Sequence, residues 1–174
     1  MASLHHTPFV QAIAAPDSSD ERVGRIALQM NCRSDCIQLL RAMVAVMTAR
    51  AGMAQLQRNR IALAVDEIYA NIAEHAYDGR AGHVAVESFI RSAAAGTDAE
   101  LVFDFRDYAA CNWCHDEQQS AAVQQETITP GGLGLRLVQA VANRCEHIPL
   151  ADGNIWRLGF TIDTEYGEQH ACDA

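Results

Sequence analysis

Two stretches, His83-Val84-Ala85-Val86-Glu87-Ser88-Phe89-Ile90 and Glu100-Leu101-Val102-Phe103-Asp104-Phe105-Arg106-Asp107, alternate with a period of two and flank an Ala-Gly-Thr-Asp turn. That period sends successive side chains to opposite faces, so the pair reads as an antiparallel hairpin. A hairpin cannot bury one face by itself, and the rest of the chain must supply its cover. Leu39, Leu40, Met43, Val44 and Met47 recur at helical spacing after a cap signal at Ser34-Asp35, and Gly52 offers a stop. A second helix is expected from about Gln57 to His75, where Ile61, Val65, Ile68 and Ile72 step by four, three and four. A third follows Gly131-Gly132-Leu133-Gly134, running from Leu135 to about Arg144. Strands at Arg25 to Met30, Cys145 to Leu150 and Asn154 to Ile162 complete the order β-α-α-β-β-lid-α-β-β. Helices segregated from hairpins predict an α+β two-layer sandwich, with the helices on one face of a mostly antiparallel sheet.

The 174 residues suit one domain, expected over 23–164, with a leader at 1–22, a lid at 109–130 and a polar tail at 165–174. A 49% hydrophobic content supplies a core. Thirteen Lys+Arg against 22 Asp+Glu leave a formal −9, which opposes nucleic acid and anionic lipid. All thirteen basic residues are Arg, so Walker A phosphate loops and Schiff-base chemistry are excluded. No apolar run nears the roughly 18 to 20 residues of a membrane span, and the N-terminus lacks a secretory pattern. The expectation is therefore a cytoplasmic protein whose six cysteines are thiols.

Three places could carry chemistry. Glu67, Asn71 and His75 are four residues apart, which puts a carboxylate and an amide oxygen on one line of a helix. Mg²⁺ takes hard oxygen ligands, few of them from protein when phosphates and waters supply the rest, so one Asn carbonyl suffices. The same stripe also fits an ordinary polar helix face, and His75 reads that way in either case. Asp107 ends a strand beside a long polar stretch, where a carboxylate can accept from an exocyclic amine such as adenine's. The Gly-rich turn opens a helix whose free N–H groups and partial positive charge favour an anion. Without lysine, phosphate charge would fall to that terminus, to Mg²⁺ and to Arg136; a plain turn before a helix is the bland alternative.

The segment Leu63-Ala64-Val65-Asp66-Glu67-Ile68-Tyr69-Ala70-Asn71-Ile72-Ala73-Glu74-His75-Ala76-Tyr77, then Asp107, then Gly131-Gly132-Leu133-Gly134-Leu135, then Asp152-Gly153-Asn154, resembles in this order the GHKL-type ATPase domain. The resemblance is specifically to anti-sigma-factor serine/threonine kinases and spans about residues 25–162. It implies ATP and Mg²⁺ as cofactors, with Asn71 as the metal residue, Glu67 as general base and Asp107 on the adenine amine. It also implies that Gly131, Gly132, Gly134, Leu135 and Arg136 form the phosphate end, and that Ala109 stands where the family usually has glycine. The partners it implies are a sigma factor and a STAS-type phospho-acceptor, with a possible homodimer. A catalytically silent interaction module, responsive to nucleotide or to redox state, is the alternative. Cys111-Asn112-Trp113-Cys114-His115 matches a haem-attachment pattern, but such attachment belongs to exported proteins. Plain lid thiols, a redox pair or Zn²⁺ ligands remain for it, with Cys32 and Cys36 as a second pair.

Overall fold

The computed structural model describes residues 22–32, 36–77, 82–92, 98–109 and 132–162. The expected leader up to residue 21, nearly all of the lid, Gly131, the Cys111/Cys114 pair and the polar tail lie outside these residues. The elements are β1 (Arg22–Asn31), α1 (Ile37–Arg50), α2 (Gln55–Asn71), β2 (His83–Arg91), β3 (Glu100–Asp107), α3 (Gly132–Val141), β4 (Arg144–Leu150) and β5 (Gly153–Thr161). They form the expected α+β sandwich. The sheet order is β1-β2-β3-β5-β4, with every neighbouring pair antiparallel.

Register decides what the helices cover. Leu101 faces Phe160, Phe103 faces Leu158, Phe105 faces Trp156 and Asp107 faces Asn154. Because side chains alternate, these eight share one sheet face. Its apolar members pack with Leu40, Met43, Val44 and Met47 of α1, Ile61, Val65 and Ile68 of α2, and Val138 of α3. Phe103 and Phe160 meet edge to face at 6.2 Å, an arrangement their ring quadrupoles favour. Asp107 and Asn154 are thus polar residues in phase with a hydrophobic face.

Several boundaries differ from expectation, among them the starts of β1 at Arg22 and of α3 at Gly132, and three of the differences have a visible local cause or consequence. Cys36 occupies the cap position of α1 and makes no side-chain cap bond, while Ser34 and Asp35 lie outside the described residues. The second helix is α-helical only to Asn71 and continues as a π turn over Ile72–Ala76, so His75 falls outside the α-helical phase that aligns Glu67 with Asn71. The third helix stops at Val141 rather than near Arg144 because the sheet captures the chain. Asn143 N–H donates to Gly159 O (2.9 Å) and Asn143 Oδ1 accepts from Thr161 N–H (2.9 Å). Arg144 then opens β4 and pairs with Glu100.

The outer face of the sheet is not a plain solvated surface. Glu87 and Asp104 sit directly opposite each other and are each 1% exposed. Two like charges placed so closely repel, and each is held by arginine: Glu87 by Arg22 and Arg25, Asp104 by a two-pronged Arg157 with both contacts at 2.7 Å.

Candidate functional site

Glu67 and Asn71 lie one turn apart on the last part of α2, about 6 Å along the axis. Both are half-buried. Against Glu67 packs the first turn of α3: a Cβ placed on Gly134 would overlap Glu67 Oε2 and lie 3.3 Å from its Cδ. Only a residue without a side chain lets the α3 backbone approach the carboxylate this closely. Gly132 is the first residue of α3, so the orphan N–H groups of that terminus belong to the same turn. Leu135 is partly buried against the core and anchors the turn from beneath.

Asp107 closes β3 at 1% exposure. Its Oδ1 accepts from Ala109 N–H (3.1 Å) and from Asn154 Nδ2 (3.0 Å), and among the described residues nothing donates to Oδ2. A buried carboxylate with one oxygen doubly satisfied and the other open is fitted to accept one more donor. Ala109, 7% exposed, contributes its backbone N–H to this arrangement. Asn154 is itself held, its Oδ1 lying 3.1 Å from His147 Nε2, while the His147 ring stacks on Trp156 at 4.3 Å.

Three further residues fix the end of β3. Arg106, on the opposite sheet face, donates to Asp107 O (2.6 Å), Asn154 O (3.3 Å) and Asp152 Oδ1 (2.6 Å). Gly153, at φ +136°, comes so close that a Cβ would strike Asp107 O. From the helical side, the Tyr77 hydroxyl donates to His83 O and accepts from Tyr108 N–H (2.9 Å). Tyr77 lies just beyond the π turn, so it ties the end of the Asn71 helix to the residue after Asp107. Burial pushes its hydroxyl pKa up.

The structure therefore joins Glu67 to Gly134, and Asp107 to Ala109. It places Arg136 elsewhere: that side chain is exposed and lines an outward groove with Arg60 and Leu63, with Glu67 not among the lining residues. Cys32 and Cys36 are not joined in a disulfide, and burial, then Asp107, then Cys36 push the Cys32 pKa up to about 11. A thiol so raised stays protonated near neutrality, which disfavours both metal ligation and thiolate chemistry there. Sequence reasoning missed His147 and Arg106, and it gave no role to Tyr77 and Asn154, which stand within the matching segments. The available signal was parity: Asn154 is in step with Trp156, Leu158 and Phe160, and His147 pairs with Trp156 across the strands.

Among the described residues no group of three or more His, Cys, Asp or Glu is arranged to hold a metal ion. A cation at this place would rest on the Asn71 oxygen and on oxygens of a ligand, a pattern suited to Mg²⁺. Among the described residues no helix is long and apolar enough to cross a membrane. A family model described as the histidine kinase-like ATPase domain matches residues 32–159. No curated protein matches the chain.

Proposed function

The chain belongs to the histidine kinase-like ATPase domain family, and from that premise we propose that it is an ATP-dependent serine/threonine protein kinase acting as an anti-sigma regulatory factor. The observation that carries the reading is the close packing of Gly134 on Glu67, which brings a carboxylate base beside the N-terminal turn of α3. Mg-ATP, when bound, supplies the transferable γ-phosphoryl group and the cation's charge. Asp107 would accept the adenine amine on Oδ2, the oxygen left open by Ala109 and Asn154. Asn71 would offer its side-chain oxygen to the metal, and the α3 terminus would meet phosphate charge with backbone N–H groups. Glu67 would take the proton from the acceptor hydroxyl as phosphoryl transfer proceeds.

The acceptor in this reading is a serine or threonine of a STAS-type anti-anti-sigma partner, and a sigma factor is the second partner. Homodimerisation and a cytoplasmic location complete the proposal. Labelled-phosphate transfer to a STAS partner tests it, with parent and Glu67→Gln compared. The glutamine keeps size and hydrogen-bonding reach but cannot act as a base. Loss of a general base costs about 10² to 10⁴ in rate, so transfer should fall at least about a hundredfold while Mg-ATP affinity stays near the parent value. Equal transfer by both proteins removes Glu67 from the role of base. No transfer by the parent, together with tight sigma-factor binding, leaves the catalytically silent module.

A further inference from the structure

Beyond the nucleotide end, α2 and α3 flank a groove of about 830 Å³ that opens to solvent. Its floor includes Ile61, Leu137 and Val141, Leu63 stands in it 46% exposed, and Arg60 and Arg136 border it. Among the described residues no Asp or Glu lines it. Among the described residues neither Arg60 nor Arg136 forms an ion pair, whereas seven other arginines each hold a carboxylate. In a chain of formal charge −9, two unpaired guanidiniums over an apolar floor form a local reversal of sign.

We propose that this groove binds a short acidic segment of a partner protein, with apolar side chains on the floor and carboxylates on Arg60 and Arg136. Charge complementarity selects the sign of the occupant, and planar guanidinium groups suit carboxylates. The apolar floor selects protein over nucleic acid, because a phosphate backbone would leave Leu63 and its neighbours uncovered. A long polyanion would also run off two arginines onto an acidic surface. A short segment ends within about a Debye length, ~8 to 10 Å, where the local field dominates. The lining includes none of Glu67, Asn71 or Asp107, so this inference stands apart from the nucleotide reading.

The test uses the full chain and a synthetic amphipathic helical peptide, leucine on one face and glutamate on the other, with a lysine-for-glutamate peptide as control. The glutamate peptide should bind, with amide shifts confined to residues 57–63, 136–143 and 160–161, and binding should weaken as salt is raised. Arg60→Glu combined with Arg136→Glu should weaken it at least tenfold, while Arg60→Lys should retain most of it. Arg60→Ala, which adds no negative charge, serves as a milder second variant and should give a smaller loss. Equal binding of the lysine peptide, shifts elsewhere, or affinity unchanged by both arginine variants would overturn the proposal. So would absence of binding up to about 1 mM peptide, the result expected if the chain's own acidic residues 163–174 already fill the groove.

Discussion

Asn154 Nδ2 donates to Asp107 Oδ1 over 3.0 Å, between directly paired residues of β5 and β3 that are 3% and 1% exposed. Among the described residues this bond and the one from Ala109 leave Asp107 a single open oxygen. Replacing Asn154 by Ala removes one of the two donors to Oδ1 of the buried Asp107. Leaving a buried partner unsatisfied costs about 1 to 3 kcal/mol, which should appear as a lower denaturant midpoint. With the carboxylate less fixed, discrimination of ATP from inosine triphosphate, whose base lacks the exocyclic amine, should narrow in parallel titrations. Unchanged discrimination would detach Asn154 from base recognition.

Gly134→Ala separates packing from chemistry. The added methyl meets the far end of a flexible Glu67 side chain, which can swing away. Alanine also gains about 1 kcal/mol of helix propensity over glycine. The two effects oppose, so the unfolding free energy should change by less than about 1 kcal/mol. Phosphotransfer should fall sharply, because Glu67 no longer lies beside the α3 turn. A variant that loses its fold while a Glu67→Ala/Gly134→Ala double variant regains it would show the clash to be structural instead.

Arg157 and Asp104 make a sharper stability test. Asp104 is 2% exposed at its side chain and faces Glu87 across the strand pair. Arg157→Leu strands that carboxylate, at a cost of about 3 to 5 kcal/mol for a broken buried pair. Arg157→Leu with Asp104→Leu removes both charges and relieves Glu87, so urea unfolding should place the double variant close to the parent. Equal destabilisation by single and double variants would mean that packing, not charge, holds this face.

The Cys32 pKa, pushed up to about 11, predicts slow alkylation. At pH 8 the thiolate fraction is about a hundredfold lower than for a thiol of pKa 9, and higher intrinsic nucleophilicity recovers about tenfold of that. Cys32 should therefore react about ten times more slowly than an ordinary thiol, read by mass spectrometry. A thiol pKa raised on folding means that the native state holds the proton more tightly. Its contribution to stability is complete below pH 9 and is lost as pH rises from 9 towards 11. Cys32→Ser should flatten stability over that interval.

The hairpin β2–β3 and helices α1 and α2 were legible because alternation and helical spacing are local patterns that burial reinforces. Asp107 was marked by its strand-end position, and Glu67 and Asn71 by helical spacing. The close approach of Gly134 to Glu67 was not, since it joins residues 67 apart in sequence through the packing of two helices. Glu87 and Asp104 read as solvent-facing polar positions, and only the sheet register reveals that arginines from β1 and β5 close over them. Asn154 was expected to open the last strand, and its parity with Trp156 placed it on the covered face, but its pairing with Asp107 depends on the β3–β5 register. The π turn at Ile72–Ala76 leaves no local signature in a sequence that reads equally well as α-helix.

The central claim is that the ends of α2 and β3 and the start of α3 form one magnesium-nucleotide site. Calorimetric titration of the reduced protein, with Mg-ATP and with ATP plus chelator, tests it most directly when parent and Asn71→Ala are compared. The account predicts saturable binding of Mg-ATP by the parent, weakened at least tenfold by chelation or by the Asn71 substitution, with the thermal midpoint of the variant unchanged. Affinity that is indifferent to chelator and to Asn71, or no heat of binding from the parent at all, would contradict it.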